Sequence, residues 1–124
     1  MKTLLITGAG KGIGYATTVL AAKQGHQVIA LSRNVSALKN IDGVQPYSVD
    51  LAKPEEINAF VDQIKDTQID VLLNNAGLLT NTPVEESSFA LYERIYKVNV
   101  FGLAELTRLV LPLMNNDGHV VYSS

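Results

Sequence analysis

A chain of 124 residues makes one domain with enough interior for a real core, and 47% hydrophobic with 18% charged residues is the make-up of an ordinary globular protein. Its net charge of −2 argues against general binding to nucleic acid or to an anionic membrane. With no cysteine there is no disulfide framework and no thiolate metal site, and His26 and His119 stand too far apart to read as a metal pair, so no metal is expected.

The chain enters an apolar strand, Thr3 to Ile6, two residues after Met1, which leaves no space for a charged leader and a signal core; a cytoplasmic protein is expected. The strand runs directly into Thr7-Gly8-Ala9-Gly10-Lys11-Gly12-Ile13-Gly14. A glycine-rich turn between a strand and a helix lets backbone approach a pyrophosphate, and the helix N-terminus offers it unpaired N–H groups. The pattern is T-G-x-x-x-G-x-G. The fingerprint G-x-G-x-x-G fails at Ile13, and a P-loop fails because Gly12 follows Lys11 where Ser or Thr is needed. On its own such a run also fits a tight strand-to-helix turn with no ligand.

Downstream, Ile13, Ala16, Thr17, Leu20 and Ala21 recur at helical spacing, with Gly25 placed to end the helix, so this stripe is expected on the sheet. Further strands are expected at Val28 to Leu31, Val44 to Ser48, Val71 to Leu73 and His119 to Tyr122. About two helical turns are expected over Val35 to Asn40. A helix over Pro54 to Asp66 opens on Pro-Glu-Glu, which suits a first turn. Pro83 to Met114 is long enough for two helices. The second, Val98 to Met114, is apolar nearly all round and is expected to face both the sheet and a second surface, with Leu109 as an outward position. Polar residues interrupt it, so it falls short of the ~20 mainly apolar residues of a membrane span.

Alternating short strands and helices predict an α/β fold, a Rossmann-like doubly wound parallel sheet in the order 3-2-1-4-5. Ligands bind such sheets beyond the carboxyl ends of the strands, at the switch between strands 1 and 4. The glycine run follows strand 1, Asp50-Leu51 follows strand 3, Asn74-Asn75-Ala76-Gly77 follows strand 4, and Ser123-Ser124 follows strand 5. Every polar motif therefore falls on one rim.

Taken together, T-G-A-G-K-G-I-G, Asp50, N-N-A-G, Asn99 and the closing Ser-Ser resemble the classical short-chain dehydrogenase/reductase family over the whole chain. The resemblance implies a nicotinamide cofactor held by Gly8, Gly10, Lys11, Gly12, Ile13, Gly14, Arg33, Asp50, Leu51, Asn75, Ala76 and Gly77. It also implies a small-molecule carbonyl or alcohol substrate, and a homo-dimer or homo-tetramer. Asp50 would accept the adenine amino group with Leu51 near the ring, or would serve only to start the next helix. Asn75, Ala76 and Gly77 would let the adenosine half approach, brace the sheet, or do both. In the family an Asn in the context V-N-V-F-G opens its helix and holds a water of the proton relay, which makes Asn99 a catalytic candidate; a packed structural Asn is the alternative. The family's substrate-orienting serine lies just past strand 5, where Ser124 aligns better than Ser123, although two serines often end a strand without further purpose.

Cofactor choice can be read from the residues. Sites that prefer NAD place an acid at the end of strand 2, where this chain has Leu31-Ser32-Arg33. Arg33 and Lys11 can both reach a 2′-phosphate, so NADP(H) is expected; the alternative is that both are solvated surface cations.

The family's chemistry also uses a tyrosine acid with a lysine four residues later, and these 124 residues contain no Tyr-x-x-x-Lys. The expectation is therefore that the chain supplies the cofactor half of an NADP(H)-dependent oxidoreductase interconverting a carbonyl and an alcohol, truncated before the last strands and inactive alone. The alternative is a non-catalytic dinucleotide-binding or interaction module. Substrate identity is not legible.

Overall fold

Five parallel strands form one sheet in the order β3-β2-β1-β4-β5 in the computed structural model, which describes residues 1–78 and 81–123. The strands are β1 (Thr3–Thr7), β2 (Gln27–Ser32), β3 (Val44–Ser48), β4 (Ile69–Asn74) and β5 (Met114–Tyr122). The predicted topology is the observed one. Register is tight in the centre, with Leu5 beside Ile29 and Leu72, and Ile6 beside Ala30 and Leu73.

Because side chains alternate across a strand, adjacent residues of β1 serve opposite cores. Leu5 joins Ile29, Leu31, Phe60, Leu72, Leu106 and Val110 on one face, under helices α2 (Pro54–Gln63) and α4 (Leu103–Val110). Ile6 joins Ala9, Ala21, Val28, Ala30 and Leu38 on the other, under α1 (Gly12–Lys23). Each fully buried Leu, Ile or Phe stabilises the fold by about 1.5–3 kcal/mol. An edge contact between the Tyr47 and Phe60 rings, 5.0 Å apart, extends the first core to β3.

Helix α1 turns a different side to the sheet from the one its apolar residues suggest. Gly14, Thr18 and Ala21 are buried, while Ile13 is 74% and Leu20 56% exposed and Ala16 is also exposed. The helix start sets this phase. Gly14 lies so close to the Gly8 carbonyl that a Cβ would overlap it and would stand 2.6 Å from Asn75 Nδ2. Thr18 then satisfies its buried hydroxyl by donating to the Gly14 carbonyl at 2.8 Å.

Other expectations change, among them the helix expected over Pro54 to Asp66, which ends at Gln63. Residues 35–40 hold one 3₁₀ turn (Ser36–Leu38) rather than two helical turns, because Asn34 Oδ1 accepts both the N–H and the hydroxyl of Ser36 and closes a local turn. The stretch 98–114 is not one helix. After α3 (Phe89–Tyr96), capped by Ser88 Oγ on the Leu91 N–H at 3.1 Å, come a π-helical segment (Lys97–Gly102), α4 and a 3₁₀ turn (Leu111–Leu113). Gly102, Leu103, Leu106 and Val110 face inward, and Val100, Phe101 and Leu111 face outward. Leu109 is half-buried against the first core and so is not an outward position.

At the edge, the expected strand His119 to Tyr122 is present and lies beside Val71 to Asn74, but β5 begins earlier, with Met114 beside Ile69. Residues 115–118 bulge between these pairings, where Asn115 Nδ2 donates to Asp70 Oδ1. Asp70 Oδ2 accepts the Thr3 N–H at 2.8 Å, so one carboxylate ties the starts of β1, β4 and β5.

Candidate functional site

All the strands are parallel, so their carboxyl ends open onto one rim, and a cavity of about 370 Å³ lies there. Its lining includes Gly8, Gly10, Lys11, Gly12, Arg33, Asp50, Leu51, Asn75, Ala76 and Gly77. Ten of the residues singled out in the sequence are thus brought together. Leu31, Ser32, Val49, Leu78 and Val98 complete the lining. Ile13, Gly14, Asn99 and Ser123 are not part of it, and Ser124 lies outside the described residues.

Gly8 has φ of +64°, and a Cβ there would stand 2.8 Å from Ala76 Cα. The turn after β1 and the loop after β4 are therefore in backbone contact. Thr7, which the sequence reading left without a role, fastens the same junction. Its buried Oγ1 accepts the Asn75 N–H at 3.0 Å and the Ala76 N–H at 2.9 Å. No local pattern marks a strand-end threonine for this; only the β1–β4 pairing does.

At the start of α1, Lys11 is the N-cap and makes no side-chain cap bond, and the first turn holds no acidic residue. The leading N–H groups of the helix have no partner within it, and no acidic side chain of the first turn meets the positive end of the dipole. Lys11 and Arg33 line the main cavity and also an adjoining depression with Gly10, Ser32, Asn34 and Ser36. Ser48 Oγ donates to the Arg33 carbonyl at 2.8 Å, which holds the backbone on which the guanidinium is carried.

Asp50 is held from three directions. Its Oδ1 accepts the Ala52 N–H at 3.0 Å, and Arg94 Nη2 from α3 lies 3.3 Å from both carboxylate oxygens; its own N–H donates to Glu56 Oε1 at 2.9 Å. Burial pushes this carboxyl up, but the Ala52 N–H, the Arg94 guanidinium and the charge of Arg33 outweigh it and hold the group below its usual value. Arg94 was missed in the sequence, where a lone cation on an amphipathic helix looks like solvated surface.

Asn99 sits in the π-helical segment and spends its amide on the β4 loop. Its Oδ1 accepts the Leu78 N–H at 2.6 Å and its Nδ2 donates to the Leu78 carbonyl at 2.9 Å. Asn74 is buried and donates from Nδ2 to Thr107 Oγ1 at 3.1 Å, joining β4 to α4. Ser123 extends β5 with an N–H bond to the Asn74 carbonyl, and its hydroxyl donates to Asn75 Oδ1 at 2.6 Å. Among the described residues no group of acidic or histidine side chains is arranged to hold a metal, and no helix is long and apolar enough to cross a membrane.

The short chain dehydrogenase family model matches residues 2–124. The chain is 35% identical over 133 aligned positions to the NADPH-dependent 1-acyldihydroxyacetone phosphate reductase of Saccharomyces cerevisiae, covering 98% of this chain and 45% of the yeast protein. Among solved structures, a short-chain dehydrogenase from Streptomyces avermitilis superposes with a TM-score of 0.89 at 32% identity, over 98% of this chain and 49% of that one. The L-sorbose reductase of Gluconobacter frateurii, solved with NADPH and L-sorbose, gives 0.86 at 27% identity, over 98% and 51%. The chain spans about half the length of the curated relatives it matches.

Proposed function

The chain belongs to the short-chain dehydrogenase family, and from that premise we propose that it is the cofactor-binding part of an NADP(H)-dependent oxidoreductase interconverting a carbonyl and an alcohol on a small molecule. The observation that carries the cofactor choice is the pairing of Lys11 and Arg33 around one depression, in a lining whose acidic residue, Asp50, follows β3 and not β2. The yeast relative's NADPH dependence and the NADPH in the sorbose reductase structure support the same reading.

The residues present fit such a group. Backbone at Gly8, Gly10 and Gly12, which line the cavity without side chains, and the free N–H groups of α1 take the pyrophosphate. Ile13 and Gly14 serve from behind, through helix backbone and close packing. Lys11 and Arg33 take the 2′-phosphate, Asp50 and Leu51 the purine, and Asn75, Ala76 and Gly77 the adjoining ribose. When bound, the nicotinamide supplies or accepts the hydride. Asn99 fixes the wall at Leu78 and Ser123 orients Asn75; Ser124, by the family resemblance, takes the substrate carbonyl. On the outside, Tyr96, Val100 and Phe101 form the surface through which copies of the chain associate as a dimer or tetramer.

The test is a binding titration with NADPH and NADH on the wild type and on a Lys11→Ala/Arg33→Ala double variant. Two charged hydrogen bonds favour the phosphorylated cofactor by roughly two to four decades before desolvation losses. The double variant should lose most of its NADPH affinity and little for NADH. Equal losses would refute the NADP(H) assignment.

A further inference from the structure

The carboxylate of Asp50 has one acceptor position to spare. Such a group offers about four, and both on Oδ1 are taken, by the Ala52 N–H and by Arg94, while Arg94 takes one on Oδ2. The side chain is only 16% exposed and lines the main cavity. Burial of such a carboxylate is offset by the groups around it, and among these Arg94 is the one that lies against both oxygens; it comes from α3, 44 residues along the chain. Its side chain, 34% exposed, sets one nitrogen 3.3 Å from both oxygens, and together with the Ala52 N–H on Oδ1 it limits how the carboxylate can turn.

We propose that Arg94 is a positioning residue for the purine end of the site: it presents the spare Oδ2 acceptor of Asp50 to an exocyclic amine, so that the pocket selects an amino-purine over an oxo-purine. The inference rests on the dinucleotide reading above. With adenine, the amine donates to Oδ2. With hypoxanthine, a carbonyl oxygen takes the amine's place, two acceptors face each other, and the bond is lost.

The experiment measures dissociation constants of the full chain for NADPH and for its hypoxanthine analogue, in the wild type, Arg94→Met and Arg94→Lys. A hydrogen bond to a charged group implies a wild-type preference for NADPH of about tenfold or more. Arg94→Met should bring the preference close to one, and Arg94→Lys, which keeps a cationic donor, should retain most of it. Arg94→Gln, polar but shorter and uncharged, replaces the methionine variant if that one does not fold, and should also lose the preference. A variant that weakens both dinucleotides by one common factor, or keeps the wild-type ratio, overturns the proposal. Wild-type protein that binds both alike overturns this inference alone; wild type that binds neither overturns the cofactor reading as well.

Discussion

Asn99 holds both backbone groups of Leu78, accepting its N–H at 2.6 Å and donating to its carbonyl at 2.9 Å, across 21 residues of sequence. A two-point bond of this kind fixes the orientation of a peptide as a β-ladder would, but at a place where the sheet has already ended. Near its start the loop after β4 is held by Thr7 of β1, but at Leu78 it is held by α3's continuation.

Replacing Asn99 with Ala should cost about 1–3 kcal/mol, because two half-buried backbone groups lose their partner. Amide exchange at Leu78 should accelerate while exchange in β4 stays slow. Unchanged protection at Leu78 would show that the π-helical segment holds the loop without the amide.

Two glycines of the same turn should respond differently to alanine. At Gly12, with φ of +61° and nothing within 4 Å of an added Cβ, the cost is backbone strain of about 1 kcal/mol. At Gly14 the methyl meets the Gly8 carbonyl and the Asn75 amide, so α1 must lift from the sheet, at about 1–3 kcal/mol or more. Denaturant midpoints should rank wild type, Gly12→Ala, Gly14→Ala; the reverse order would show that conformation outweighs space here.

Acid should destabilise the fold through Asp50 and Asp70. The Thr3 N–H and the Asn115 amide hold the Asp70 carboxyl below its usual value, and Asp50 is held low as described. The folded chain favours the charged form of each, so their contribution is complete at neutral pH and is lost as the pH falls through the depressed folded-state values. Melting temperature should be flat from about pH 7 to 5 and fall below about pH 4. In an Asp50→Asn/Asp70→Asn variant that acid limb should be shallower; an equally steep one would assign it to other carboxyls.

The outward face of the π-helical segment and the inward face of α4 give opposite results on charging. Phe101 is 63% exposed, so Phe101→Lys should leave the melting temperature nearly unchanged and shift sedimentation toward monomer if copies associate there. Leu109→Lys should instead lower stability, because Leu109 packs on the first core. A Phe101→Lys variant with the wild-type mass distribution would remove that surface from the assembly.

Strand positions and sheet order were legible because central parallel strands are buried on both faces and read as short apolar runs, and because crossover handedness leaves few arrangements. The cavity was legible for a related reason: once each motif is placed after a strand, parallelism puts all of them on one rim. The phase of α1 was not, since its inward positions are Gly14 and Thr18, chosen for closeness and for a local hydrogen bond that hydrophobicity does not report. Arg94 and Thr7 were illegible because their partners, Asp50 and the Asn75–Ala76 backbone, are 44 and nearly 70 residues away. The π-helical segment was hidden from periodicity, which reads as continuous helix, although the family resemblance had implied an opened helix at Asn99.

Asp70 at the beginning of β4 and the Thr7–Asn75 junction just beyond its end together make that strand a ruler. A slip of one residue against β1 would break the Thr3 bond at one end and the Thr7 bonds at the other, besides turning Leu72 from one core to the opposite one. The polar anchors at both ends fix how many residues lie between them, while the buried residues there are constrained in shape by the core as well. A one-residue insertion in β4 should therefore be far more damaging than any single hydrophobic exchange within it.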